Sequence, residues 1–291
     1  ELRLLASKRS AGKEIAFMGK TYTVEEATFD SFKGIDIALF AGGSISKDFA
    51  PHAVKAGAVV IDNSSAFRMD PEVPLVVPEV NPQAILKHKG IIANPNCSPI
   101  IMVMALKPIY DLAKIKRVIV STYQAVSGAG KEGIDELDAQ VREHSEGREM
   151  TANILPSSSA EKHYPIAFNL IPQIDVFCDN LYTKEEMKMV NETKKIMEDY
   201  EMRITATTIR VPVYRSHSES VNIELEKEVD LGAMREALAK FPGVTVQDDP
   251  SKQEYPMPLY TSEKDDVYVG RLRRDESCEK SYNCLLYTSD A

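Results

Sequence analysis

A strand, a helix and a second strand follow one another between residues 35 and 61, and this succession constrains the fold more than anything else in the chain. Residues 35–40 are a short apolar run, residues 46–56 read as a helix closed by Gly57 in a left-handed cap, and residues 58–61 are the next apolar run. Two strands joined through a helix pair in parallel, by a right-handed crossover. Apolar runs at 2–6, 75–77 and 91–93 continue the alternation. The pattern predicts a doubly wound, Rossmann-like α/β domain over residues 1–98.

The rhythm changes from residue 99. A helix after Pro99 leads to a long strand at 117–123, a Gly-containing loop at 127–130 and a helix at about 132–144. Thr183 and Glu186 form a capping-box pair that opens a helix running to about residue 200. Strands at 204–213 and 220–226, a helix at 231–240 and a strand at 267–271 follow. Long strands grouped with helices predict a second, α+β domain over 99–275 with a mainly antiparallel sheet. Residues 276–291 break this character and read as a divergent tail. The chain begins at Glu1 without methionine and enters a strand at once, so it reads as a fragment.

Composition excludes several classes. The chain has 44 acidic against 35 basic residues, a net charge of −9, and no Lys/Arg block, which argues against nucleic acid as a main partner. No apolar run approaches the roughly 20 residues needed to span a bilayer. Four cysteines, Cys97, Cys178, Cys278 and Cys284, are too few for a disulfide scaffold in 291 residues and lack metal-ligand spacing. No metal is expected, and a reducing cytoplasm is the simplest setting.

Cys97 carries the most chemistry. It stands in Asn94-Pro95-Asn96-Cys97-Ser98-Pro99, between an apolar strand and an apolar helix. Ser98 and Pro99 fit the cap and first turn, which sets Cys97 at a helix N-terminus, where the dipole favours a thiolate. A nucleophilic cysteine needs an acid/base and groups that grip the substrate. His217, between two strands, leads the five histidines. Arg210 stands in an apolar strand and needs an anion, either an internal glutamate or a substrate carboxylate. Arg68 could hold phosphate. Glu185 and Lys188, three apart on one helix face, read locally as a solvated salt bridge. Ala41-Gly42-Gly43-Ser44 and Ser127-Gly128-Ala129-Gly130 would let backbone approach a phosphate or a nicotinamide. The three-glycine dinucleotide fingerprint is absent.

Several further segments stand in an order that a chemical reading alone would not single out: 121–130, His163 to Asn169, Pro172-Gln173-Ile174-Asp175, Glu185-Glu186-Met187-Lys188-Met189 and His217-Ser218-Glu219-Ser220. With Asn94 to Ser98, these motifs resemble the aspartate-β-semialdehyde dehydrogenases over nearly the whole chain, up to about Asp275. The resemblance implies NADPH-dependent reductive dephosphorylation of L-aspartyl-4-phosphate to L-aspartate 4-semialdehyde, in lysine, threonine, methionine and isoleucine biosynthesis.

On that resemblance Cys97 is the nucleophile that forms a thioester, Gln124 positions the acyl group and His217 is the acid/base. Arg210 binds the substrate carboxylate and Glu185 its amino group. Arg68, Asn96 and Lys188 match phosphate-binding positions. Arg9 and Ser10 match the region that selects the extra phosphate of NADP, Gly42 and Gly43 the cofactor loop, and Ser127 and Gly128 the nicotinamide side. A homodimer built through the second domain is implied. The first strand and phosphate loop of the family are missing, which implies weak cofactor binding and poor turnover for the chain as given. Residues from about 282 do not align with the family. Two rivals remain: an N-acetyl-γ-glutamyl-phosphate reductase, whose nucleophile follows Pro-Gly where Asn96 stands here, and a non-catalytic homologue serving as a binding subunit.

Overall fold

A computed structural model describes residues 2–288 of the chain. Two compact units form: one takes the chain up to Val76 together with Gln83–Pro95, the other takes Val77–Pro82 and the chain from Asn96 onward.

The first unit begins with β1 (Leu4–Ala6), β2 (Glu14–Phe17) and β3 (Lys20–Glu26), arranged β1-β3-β2 with β1 parallel and β2 antiparallel to β3. The anticipated crossover comes next: β4 (Ile37–Phe40), α1 (Ser46–Lys55), β5 (Val59–Asp62) and later β6 (Ile91–Ala93) give a parallel sheet ordered β4-β5-β6. Gly57 ends α1 at φ +99°, a conformation that a side chain would oppose. Ala50 and Ala53 of α1 press on Ala58, Val60 and Phe32, so small side chains let helix and sheet approach closely. The run expected as a strand at 75–77 makes only a bridge, Leu75 with Ala93. Pro74 and Pro78 flank it, and a proline has no N–H to give a ladder.

The second unit is built on a six-stranded mixed sheet. Its elements are α2 (Cys97–Leu112), β7 (Ile115–Gln124), α3 (Lys131–Ser145), α4 (Lys184–Ile196), β8 (Arg203–Arg210), β9 (Ser218–Leu225), α5 (Leu231–Lys240), β10 (Val244–Val246), β11 (Val267–Arg274) and β12 (Ser281–Tyr287). Strand order is β10-β11-β12-β9-β7-β8, antiparallel in the three central pairs and parallel in the two outer ones. One face buries Val118 and Val120 of β7, Val221 and Ile223 of β9 and Leu286 of β12. Helix α2, with Met102, Val103 and Leu106 fully buried, packs against β7, β11 and β12.

Three expectations change. Helix α4 stops at Ile196 rather than near residue 200, with Glu198 at φ +53° turning the chain away. Strand β8 ends at Arg210 instead of 213, because Pro212 follows. Residues 281–287, left outside the resemblance, form β12 between β11 and β9 in the middle of the sheet. Cys284 lies on that strand, buried at 3% exposure.

Candidate active site

Helix α2 starts two residues earlier than a cap at Ser98 implies. Asn96 is the N-cap: its φ of −67° and ψ of 150° are extended, and its Oδ1 accepts the Ser98 N–H at 3.2 Å. Ser98 is instead fully buried inside the first turn. Cys97 is therefore the first helical residue, and its Sγ–H points to Asn96 Oδ1 at 3.7 Å.

The thiol does not behave as helix position alone predicts. Burial first, and the nearby Glu185 carboxylate second, push it up to about 11, with hydrogen bonding from Ser98 and the Arg210 guanidinium offsetting only part of the rise. The dipole of a helix end is a modest term beside desolvation of an anion. Without substrate, Cys97 is a thiol.

A pocket opens at this residue. Asn96, Cys97, Gln124, Glu185, Lys188 and Arg210 line it, with Gly128, Glu132 and Asp175. Seven residues singled out from sequence, Gly128 among them, thus line one pocket. Ser157 and Ser158 lie there too, although Ser157-Ser158-Ser159 has no chemical signal in the sequence.

A polar chain runs along the pocket floor. Thr122 Oγ1 donates to Gln124 Oε1 at 3.0 Å, and Gln124 Nε2 donates to Glu185 Oε1 at 3.1 Å. Lys188 Nζ donates to Glu185 Oε2 at 2.9 Å and to Asp175 Oδ2 at 3.1 Å. Burial works against the Lys188 charge, yet Glu185 and Asp175 hold its ammonium above the ordinary lysine value. The Glu185–Lys188 pair is a real salt bridge, as local reading has it, but Glu185 is buried at 5% exposure rather than solvated. Helix α4 carries both residues inward because its start is fixed by the expected capping box of Thr183 and Glu186.

Arg210 ends β8 at 4% exposure. Its Nη1 donates to Ala125 O at 2.7 Å. Among the described residues, no carboxylate is in ion-pair contact with it and its Nε has no partner. Burial lowers the guanidinium from its ordinary value, while Glu185 and Cys97 act to raise it. A buried cation with an unused donor is a site for an incoming anion. Of the two readings of Arg210, the internal ion pair is absent among the described residues.

His217 is fully buried beside this cation. Its Nδ1 accepts the Ala125 N–H at 3.0 Å, while Nε2 has no partner among the described residues. Burial, then the Arg210 charge, drives the imidazole down to about 3. Ser216, at φ +74°, turns His217 inward, and a 2.7 Å hydroxyl contact with Thr261 anchors that strained residue. The 3-10 turn Val126–Ala129 covers the ring: a Cβ on Gly128 would fall 2.8 Å from Arg210 Nη1 and 3.1 Å from His217 Nε2. Ser127 in the same turn is buried, with its Oγ unpartnered among the described residues.

Arg68 and the cofactor candidates belong to the first unit. Arg68, at 7% exposure, donates from Nε to Asn94 O at 2.9 Å and from Nη2 to Asn63 O at 3.0 Å. Arg9 is exposed and Ser10 half-buried in the turn that follows β1. Gly42 and Gly43 follow β4, Gly43 at φ +62° with open space where a Cβ would stand.

Two matched families cover the chain: residues 1–88 match the semialdehyde dehydrogenase NAD-binding domain, and residues 106–288 match the semialdehyde dehydrogenase dimerisation domain. The pocket and its fold therefore define an oxidoreductase of the semialdehyde dehydrogenase class. Within that class, the chain belongs to the aspartate-semialdehyde dehydrogenase family. The Aquifex aeolicus (strain VF5) aspartate-semialdehyde dehydrogenase is 56% identical over 283 residues, spanning 96% of this chain and 82% of that protein. The Bacillus subtilis (strain 168) enzyme is 55% identical over 276 residues, 94% and 80% of the two chains. A Vibrio cholerae aspartate semialdehyde dehydrogenase II, solved also in complex with ASA, superposes with a TM-score of 0.93 at 45% identity, covering 99% of this chain and 84% of that one. These similarities favour the aspartyl enzyme over the glutamyl-phosphate reductase and the non-catalytic subunit.

Proposed function

We propose that Cys97 carries the reaction of this aspartate-semialdehyde dehydrogenase as the nucleophile of a thioester. The observation behind it is the convergence of Cys97, Gln124, Glu185, Lys188 and Arg210 on one pocket. L-Aspartyl-4-phosphate binds with its carboxylate on Arg210 and its ammonium on Glu185. The Cys97 sulfur attacks the acyl carbon as its proton passes to an oxygen of the phosphate group; a C–S bond forms, the C–O bond to phosphate breaks, and phosphate leaves carrying that proton. Lys188, Asn96 and Arg68 offset the charge of the departing phosphate, and Gln124 holds the acyl oxygen. The bound nicotinamide cofactor supplies a hydride for the thioester carbonyl. His217, with a proton on Nε2, donates toward the oxygen that becomes negative, after which the C–S bond breaks and releases L-aspartate 4-semialdehyde with the thiolate.

The cofactor we assign is NADP. Arg9, exposed at the carboxyl end of β1 with Ser10 beside it, supplies a cation where an NAD site favours an acidic residue. The open backbone at Gly43 suits a ligand phosphate, with Gly42 preceding it; Ser127 and Gly128 are assigned to the nicotinamide. We assign a homodimer built through the second unit, which matches the dimerisation domain. The four cysteines, all free, suit a reducing cytoplasm.

The test is phosphate-dependent oxidation of L-aspartate 4-semialdehyde, with NADP against NAD, in the protein and in Cys97→Ser. Activity that depends on Cys97 and prefers NADP is expected. A Cys97→Ser variant with full activity would end the thioester reading.

A further inference from the structure

We infer that Glu192 is a positioning residue for the Cys97 nucleophile: it supplies, from helix α4, the half of an N-terminal capping box that helix α2 lacks. This rests on the reading of Cys97 as nucleophile.

In a capping box the N-cap side chain accepts an N–H from the first turn, and a Glu or Gln three residues on accepts the N-cap N–H in return. Helix α4 does this within itself: Glu186 Oε2 accepts the Thr183 N–H at 2.7 Å, and Thr183 Oγ1 accepts the Glu186 N–H at 3.2 Å. Helix α2 has only the first half. Asn96 Oδ1 accepts the Ser98 N–H, but the residue three after Asn96 is Pro99, which has no acceptor side chain. The missing half comes from 96 residues away, where Glu192 Oε2 accepts the Asn96 N–H at 2.7 Å. That bond is as short as the one inside α4.

Glu192 is 2% exposed, so it is no incidental surface contact. It lies on the same face of α4 as Glu185 and Lys188, seven and four residues after them. The helix that grips substrate therefore also holds the backbone N–H directly before the sulfur. Sliding or rotation of α2's first turn would move Sγ against Glu185 and Lys188; the Glu192–Asn96 bond opposes it. A bond from a backbone N–H to a carboxylate is of the stronger kind, and losing its acceptor leaves that part-buried donor without it.

The role predicts a split between binding and chemistry. The grips assigned to the carboxylate and ammonium of L-aspartate 4-semialdehyde, Arg210 and Glu185, stay in place without Glu192, while the attacking sulfur loses its register. We expect Glu192→Ala to lower kcat at least tenfold with KM for L-aspartate 4-semialdehyde within threefold of the parent. Glu192→Gln, which keeps an oxygen acceptor at the same reach, recovers most of the lost kcat. Should Glu192→Ala not fold, Glu192→Asp, one methylene too short, takes its place with the same expectation. A kcat within twofold of the parent in the short variant overturns the inference, as does a failure of Glu192→Gln to recover it. Cys97→Ser is assayed alongside: an active Cys97→Ser fails the nucleophile reading itself, whereas an inactive one beside an unaffected Glu192→Ala fails only the role of Glu192.

Discussion

The imidazole Nδ1 of His217 accepts the backbone N–H of Ala125 at 3.0 Å. A ring nitrogen that accepts cannot carry a proton, so this contact assigns the proton of the neutral ring to Nε2. In the proposed reaction His217 would thus meet substrate as a donor. Its folded value, about 3, lies below the ordinary 6.5, so the unfolded chain takes up the proton first as pH falls. The contribution of this group to stability is whole above about pH 6.5 and drains away between there and pH 3. Urea unfolding at pH 7 and pH 5 measures it. His217→Gln removes the titration, so between those two values the parent loses about 2 kcal/mol more than the variant. Parallel losses would contradict the assignment.

Gly128 leaves room for neither ring nor guanidinium to shift. A methyl there meets Arg210 Nη1 at 2.8 Å and His217 Nε2 at 3.1 Å, and both partners are buried and hydrogen-bonded elsewhere. Gly128→Ala is expected to cost about 1–3 kcal/mol in thermal or urea unfolding, the usual range for overpacking. The same variant should lose at least tenfold in kcat, because the methyl stands over the proton donor.

Glu185 holds the Cys97 thiol up, second only to burial. Removing its charge in Glu185→Gln is expected to raise the iodoacetamide reactivity of Cys97 at pH 8 several-fold, read by mass spectrometry of the labelled peptide. Exposed Cys278 serves as an internal reference that does not change. Substrate affinity falls in the same variant. Unaltered Cys97 reactivity would show that the carboxylate does not act on the sulfur.

Glu219 is a carboxyl group sealed in β9 opposite Thr122 and Leu286, with neither oxygen partnered among the described residues. Burial alone holds it well above the ordinary carboxyl value, so it is neutral in the folded chain. As pH rises past the ordinary glutamate range the unfolded chain ionises first, and the folded state loses ground. Glu219→Gln is expected to be more stable than the parent at pH 8, with the difference closing by pH 4 in denaturant titrations. A constant difference across that range would place the ionised form inside the fold.

Where a signal is local, the chain displays it. Thr183 and Glu186 announce the start of α4, the run near Leu231 to Lys240 gives α5, and Gly57 marks the end of α1. At the N-terminus of α2 local chemistry points to Ser98 as the cap, but Ser98 is buried inside the first turn and Asn96 takes that place; burial is not a local property. Desolvation of Cys97 escapes local reading for the same reason. Strand β12 pairs with β9 across some sixty residues (Cys284 with Val221), so its place depends on register rather than on its own composition. Glu192 had a signal, seven residues after Glu185 on one helix face, but its meaning requires the fold to bring Asn96 to it.

Glu186 does more than close its own helix. Its Oε1 accepts the Thr208 N–H at 3.0 Å, two residues before Arg210 on β8. One carboxylate therefore rivets the helix bearing Glu185 to the strand bearing Arg210. On the proposed roles of these two residues, the gauge between the ammonium grip and the carboxylate grip is held by a single side-chain-to-backbone bond. On those roles, an acyl phosphate one methylene longer than aspartyl phosphate would satisfy both ends only by buckling or by carrying its carbonyl past the sulfur, so discrimination by length would be cast into the scaffold before any substrate arrives.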